Sequence, residues 1–200
     1  MAYSKFTLSK AAQELELRIV AGQKFLHQAS PVTPTPLLVQ TLEENIPWAI
    51  AVGSEKARSE GIVTPILLEV RRQLKGQISV FSGEEFNVDV DRGLNGYVDF
   101  LIGQTDSQLY LEAPIVVLVE AKKEDLKSGL GRCVAELVAA QQFNLESKAS
   151  VTTVYGTVTS GTVWIFLKLD AQTVTIDLME YSVNPIGQLL GFLVWMVGKR

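Results

Sequence analysis

The most constraining stretch of the chain is Pro114-Ile115-Val116-Val117-Leu118-Val119, an unbroken apolar run that stops at Glu120-Ala121-Lys122. A short apolar run without polar alternation is the pattern of a β-strand covered on both faces, which needs helices on either side of a sheet. It predicts an α/β fold. Side chains alternate faces along a strand, so Glu120 and Lys122 point to one side and Ala121 to the other. A carboxylate and an ammonium at the end of a buried strand are costly to desolvate unless they are paired or bound to something. A second β-like run, Tyr97 to Ile102, carries one acid, Asp99, in its middle. If the two runs are neighbours and Asp99 shares the face of Glu120, two carboxylates and one lysine converge. That combination describes a divalent-metal site with a positioned cation beside it. The plainer alternative is a Glu120–Lys122 ion pair at a strand end, with Asp99 hydrogen-bonded into a turn.

Bulk properties narrow the field. Two hundred residues suit one ordinary domain, and 47% apolar with 20% charged residues is the composition of a packed globular chain. A net charge of −4 means that nucleic-acid binding requires a local basic patch or a metal that offsets the carboxylates. The single cysteine, Cys133, excludes an internal disulfide and fits a reducing, cytoplasmic setting; on its helix it reads as a small core hydrophobe. His27 is the sole histidine, so no catalytic histidine pair or His-rich zinc site can be built. The start of the chain lacks the apolar block of a signal peptide. The most apolar stretch, Ile186 to Val197, is short of the roughly 20 residues that span a bilayer. No membrane partner is therefore expected. No GxxxxGK[ST] or GxGxxG is present, so nucleotide-driven and dinucleotide chemistry are unsupported.

Taken in order, residues 8 to 26 show helical spacing, with a break near Leu17. Ser30 to Pro36 is a proline-rich connector that sets an N-terminal arm, 1–36, apart from a body of 37–200. Residues 37 to 51 form a second helical candidate with an interruption at Pro47. Ser54 is a good N-cap for a third, whose stripe of Ile62, Val63, Ile66, Leu67, Val70 and Leu74 marks a buried face, with Pro65 inducing a kink or a late start. Strand patterns follow at Gln77–Ser82, with Phe86–Val90 as a continuation, and at 97–102 and 114–121. After Lys122, the spacing Leu130, Val134, Leu137, Gln141 describes an amphipathic helix that turns Gln141 inward, where a carboxylate or a substrate phosphate is one available partner and the solvated rim of the helix the other. Runs 152–159 and 162–169 around Ser160-Gly161 read as a hairpin, and 174–178 adds a strand. The closing helix, Asn184 to Val197, is apolar nearly all round and fits burial in the domain or against a second subunit in a homodimer. Lys122, Lys123, Lys127 and Arg132 form one basic cluster and Arg71, Arg72 and Lys75 another; both read first as solvated faces and second as phosphate contacts.

Asp99, followed after 20 intervening residues by Glu120-Ala121-Lys122, resembles the PD-(D/E)XK nuclease superfamily, with its restriction-endonuclease-like fold. The preceding acid-bearing helix, the Gly-Tyr-Val-Asp strand and the following helix ending Ala140-Gln141-Gln142-Phe143 agree with it. The wider chain, including Val154 to Gly161 and Trp164, is similar to uncharacterised cyanobacterial members of that superfamily. The likeness spans roughly residues 50 to 195, and departs from the pattern in having Val98, not proline, before the aspartate. It implies a central mixed sheet of about five strands flanked by helices, and hydrolysis of DNA phosphodiester bonds. It further implies Mg²⁺ or Mn²⁺ held by Asp99 and Glu120, with the Ala121 carbonyl as a further ligand. An acid from the preceding helix, Glu55 or less favourably Glu60, completes the site, and Lys122 orients or helps deprotonate the attacking water. Two alternatives stand beside it: a nucleic-acid-binding or regulatory domain of the same fold with a decayed site, and a structural oligomer module using the C-terminal helix.

Overall fold

The computed structural model describes residues 2–198; Met1, Lys199 and Arg200, which the expected segments 1–36 and 37–200 include, lie outside the described residues. The apolar run becomes β4 (Ile115–Ala121), every residue of which is buried. It lies within a seven-stranded sheet ordered β1-β7-β6-β5-β4-β3-β2. The other strands are β1 (Arg18–Ala21), β2 (Ser79–Glu85), β3 (Tyr97–Gly103), β5 (Thr153–Thr159), β6 (Val163–Asp170) and β7 (Thr173–Ser182). The β1–β7 and β4–β5 pairings are parallel and the others antiparallel. The fold is thus α/β with a mixed sheet, as the sequence predicts, but with more strands than expected. Phe86–Val90 does not extend β2; Asp89 only bridges back to Leu94 across a tight loop.

Helices cover both faces. α1 (Leu8–Glu14) and α5 (Leu126–Glu146) pack on one side with Leu101, Leu118 and Val158. On the other side α2 (Pro36–Val52), α3 (Glu55–Arg58), α4 (Thr64–Gln73) and α6 (Ile186–Gly198) pack against Phe100, Val119 and Trp164. Adjacent residues such as Leu118 and Val119 therefore feed opposite cores, as the pleat requires.

The N-terminal segment is not a detached arm. The helical pattern ends at Glu14, and Arg18–Ala21 instead pairs with Thr173–Ile176 at the sheet edge. Open ladder groups on β7 outweigh a weak local helical preference in a stretch containing Ile19 and Val20. Tyr3, Phe6 and Leu15 enter one core, and Phe25 and Leu26 the other. The proline-rich connector is anchored too: Thr35 donates from both its amide and its hydroxyl to the buried Glu69.

Both internal prolines are accommodated. α2 continues through Pro47, whose unbonded partner carbonyl belongs to the exposed Glu43 and can be solvated. Pro65 follows a π-helical turn, Ser59–Val63, and the carbonyl of Gly61 that it cannot serve accepts instead from Asn45 Nδ2 at 2.9 Å. The closing helix α6 buries Leu189, Leu190, Phe192, Leu193 and Met196 in the chain's own core. Its apolar character therefore needs no second subunit to cover it. Among the described residues no helix is long and apolar enough to cross a membrane.

Candidate active site

The two acid-bearing strands are neighbours. β3 and β4 run antiparallel, with Leu101 against Leu118 and Phe100 against Val119. One further step of this register sets Asp99 opposite Glu120, and opposed residues share a face of the sheet. The Ala121 amide donates to Asp99 Oδ2 at 2.8 Å, fixing that carboxylate across the strand ends. Lys122 stays in line because its amide donates to the Thr159 carbonyl at 2.7 Å, continuing the pairing with β5. Its side chain turns back along the same face, placing Nζ 2.6 Å from Glu120 Oε1 and 4.0 Å from Glu55 Oε2.

Helix α5 begins at Leu126, with Asp125 as N-cap, and returns over this face. At Gly129 an added Cβ would lie 2.7 Å from Val158 Cγ1 and 3.2 Å from Lys122 Cγ. The missing side chain is what lets the lysine lie between helix and sheet. One turn further, Arg132 reaches the acids: Nη1 is 3.1 Å from Glu120 Oε1, Nη2 is 3.7 Å from Asp99 Oδ1, and Nε donates to Glu136 Oε1 at 3.0 Å. Arg132 Nη2 also donates to the Tyr97 carbonyl at 2.8 Å. Glu120 and Glu136 are fully buried; Glu136 Oε2 and both Glu120 oxygens lack a hydrogen-bond partner of good geometry among the described residues, the Lys122 and Arg132 contacts to Glu120 Oε1 being ion pairs.

Such packing shifts proton equilibria. Burial, reinforced by the nearby Asp99 charge, pushes the Glu120 carboxyl up to about 7 despite Arg132 and Lys122. Burial and then the Glu120 charge push Glu136 well above the carboxylate range. For Lys122, burial alone would lower the ammonium, but Glu120 outweighs it and the net shift is upward.

The candidate residues divide as follows. Asp99, Glu120 and Lys122 meet, and the backbone N–H of Ala121, not its carbonyl, donates a hydrogen bond to Asp99. Glu55, the first residue of α3 behind its Ser54 cap, stands at the rim within reach of Lys122. Glu60 is exposed and pairs with Lys56 at 3.3 Å, lining the outer part of a 240 Å³ cleft that also includes Glu55, Ser82 and Asp99. Gln141 is not at the site. α5 runs antiparallel to β4, and Asn144 near its end bonds both backbone groups of Ile115 at the far end of that strand. Gln141, only one turn from Asn144, therefore belongs to the opposite end of the sheet. In its place the helix contributes Arg132, read from sequence as a solvated cation, and Glu136, an acid three residues from Cys133 on the apolar face. That inward acid, with an arginine four residues before it, is the signal that would have found them. A larger pocket of 640 Å³ opens between Leu74, Gln104, Val116, Tyr155 and Met196, away from all these groups.

No family model, curated protein or solved structure matches the chain.

Proposed function

We propose that this chain is a metal-dependent nuclease of restriction-endonuclease-like type that hydrolyses DNA phosphodiester bonds. One observation carries the reading: acids from two adjacent strands, Asp99 and Glu120, meet at one sheet end with Lys122 2.6 Å from the second acid. The helix–strand–strand–strand–helix–strand order from α4 to β5 supports the same assignment.

A divalent metal fits the donor set. Among the described residues no group of three or more His, Cys, Asp or Glu side chains is arranged to hold an ion. Mg²⁺, however, is commonly bound by only one or two carboxylates together with waters and substrate phosphate oxygens. The unpartnered Oε2 of the buried Glu120 is a polar atom that such an ion would satisfy. Asp99 and Glu120 would hold it, with Glu55 at the rim and the Ala121 carbonyl as further oxygen donors. Bound there, Mg²⁺ or Mn²⁺ supplies Lewis-acid activation of a phosphoryl oxygen and of a water. The chain's own residues do the rest. Lys122, held protonated by Glu120, acts as a fixed positive charge beside the phosphate and not as the base. The exposed Lys123 and Lys127 beyond it offer phosphate contacts on an otherwise acidic chain.

A second reading, a nucleic-acid-binding or regulatory domain without cleavage, is favoured by one feature: Arg132 and Lys122 already balance part of the carboxylate charge. Incubating plasmid and single-stranded DNA with wild type, Asp99→Asn and Lys122→Ala in Mg²⁺ or Mn²⁺ separates the two. Cleavage by wild type alone supports the nuclease, whereas equal behaviour of all three proteins refutes it.

A further inference from the structure

Among the described residues, Arg132 is the one side chain paired with both strand acids. It lies 3.1 Å from Glu120 and 3.7 Å from Asp99. Its plane is fixed from behind by Glu136 at 3.0 Å and from the side by the Tyr97 carbonyl at 2.8 Å. The ion pairs that it and Lys122 make with Glu120 are both to Oε1, and Oε2 has no hydrogen-bond partner among the described residues. Glu136 has no comparable reach of its own. A buried acid whose second oxygen is unpartnered is costly, and among the described residues its one ion-pair partner is the guanidinium. From behind, Glu136 holds the guanidinium against the face that carries the two strand acids.

Building on the metal-dependent reading above, we propose that Arg132, anchored by Glu136, is a positioning residue that orients the Glu120 and Asp99 carboxylates for a divalent cation. Lysine cannot replace it, because a single ammonium lacks the planar fork that spans these four acceptors. Outer groups that orient metal ligands typically change affinity by about 10- to 100-fold when removed.

The test is calorimetric titration of Mn²⁺ alone into wild type, Asp99→Asn, Arg132→Lys and the double variant Arg132→Met with Glu136→Met. The double variant removes the clamp without leaving Arg132 or Glu136 buried beside a missing partner. Arg132→Lys and the double variant are each expected to bind Mn²⁺ about tenfold or more weakly, with unchanged circular dichroism. DNA cleavage by Arg132→Lys should recover with excess Mn²⁺, which a general structural defect would not allow. Binding of either variant within about twofold of wild type would overturn the positioning role, and should the double variant not fold, Arg132→Lys decides alone. Absence of any Mn²⁺ heat that Asp99→Asn abolishes would instead overturn the metal reading, and the inference with it.

Discussion

Replacing Glu120 by glutamine should destroy the site and stabilise the fold. The wild-type carboxyl is raised from an ordinary value of 4.5 to about 7, first by burial and then by Asp99. Because the folded pKa lies above the unfolded one, the folded chain retains a proton that the unfolded chain has released. The stability this group confers is full below about pH 4.5 and is lost as the pH rises through 7. Each pKa unit is worth about 1.4 kcal/mol, so the loss is about 1 kcal/mol at pH 5 and about 3 kcal/mol at pH 8. Glutamine imitates the protonated acid and cannot ionise. Urea unfolding of metal-free protein should therefore show Glu120→Gln more stable than wild type by about 3 kcal/mol at pH 8 and by about 1 kcal/mol at pH 5. With a slope near 2–3 kcal/mol per molar urea, the midpoint at pH 8 should rise by about 1 M. The competing expectation is that removing one member of a buried pair costs about 3–5 kcal/mol. A variant less stable than wild type at pH 8, or a difference that does not change with pH, would refute the reasoning.

Other outcomes follow from the packing. Asn144→Ala should cost roughly 2–4 kcal/mol in urea unfolding, because it leaves the buried amide and carbonyl of Ile115 without partners. At Gly131 an added Cβ would be 2.5 Å from the Leu8 amide, so Gly131→Ala should displace the N-terminal segment and speed tryptic cleavage after Lys5 and Lys10. Gly129→Ala should instead leave that cleavage unchanged and lower DNA cleavage by pushing Lys122 out of line. Cys133 is fully buried, and burial followed by the charges of Glu136 and Glu120 pushes its thiol up. It should resist alkylation at pH 8 in native protein and react on unfolding; rapid native labelling would contradict the packing of α5 on β5.

Local pattern and covalent order determine part of this protein without help. The apolar run ending at Val119 carried the pattern of a doubly covered strand, and strand alternation by itself put Glu120 and Lys122 on one face. Ser54 and the stripe through Ile66 and Val70 marked the helix that brings Glu55 to the rim. Tertiary structure decided what local pattern leaves open. Whether Arg18–Ala21 is helix or strand depends on the free edge of β7, far away in sequence. Which inward residue of α5 meets the acids depends on the direction in which that helix crosses β4, and the 3.6-residue period is blind to direction. Periodicity therefore favoured Gln141, while the antiparallel return of the helix brought Arg132 and Glu136 to the carboxylates. Burial did the same for charge: Glu120 is an ordinary acid in sequence, and burial in the folded chain, with Asp99 beside it, pushes its carboxyl up to about 7.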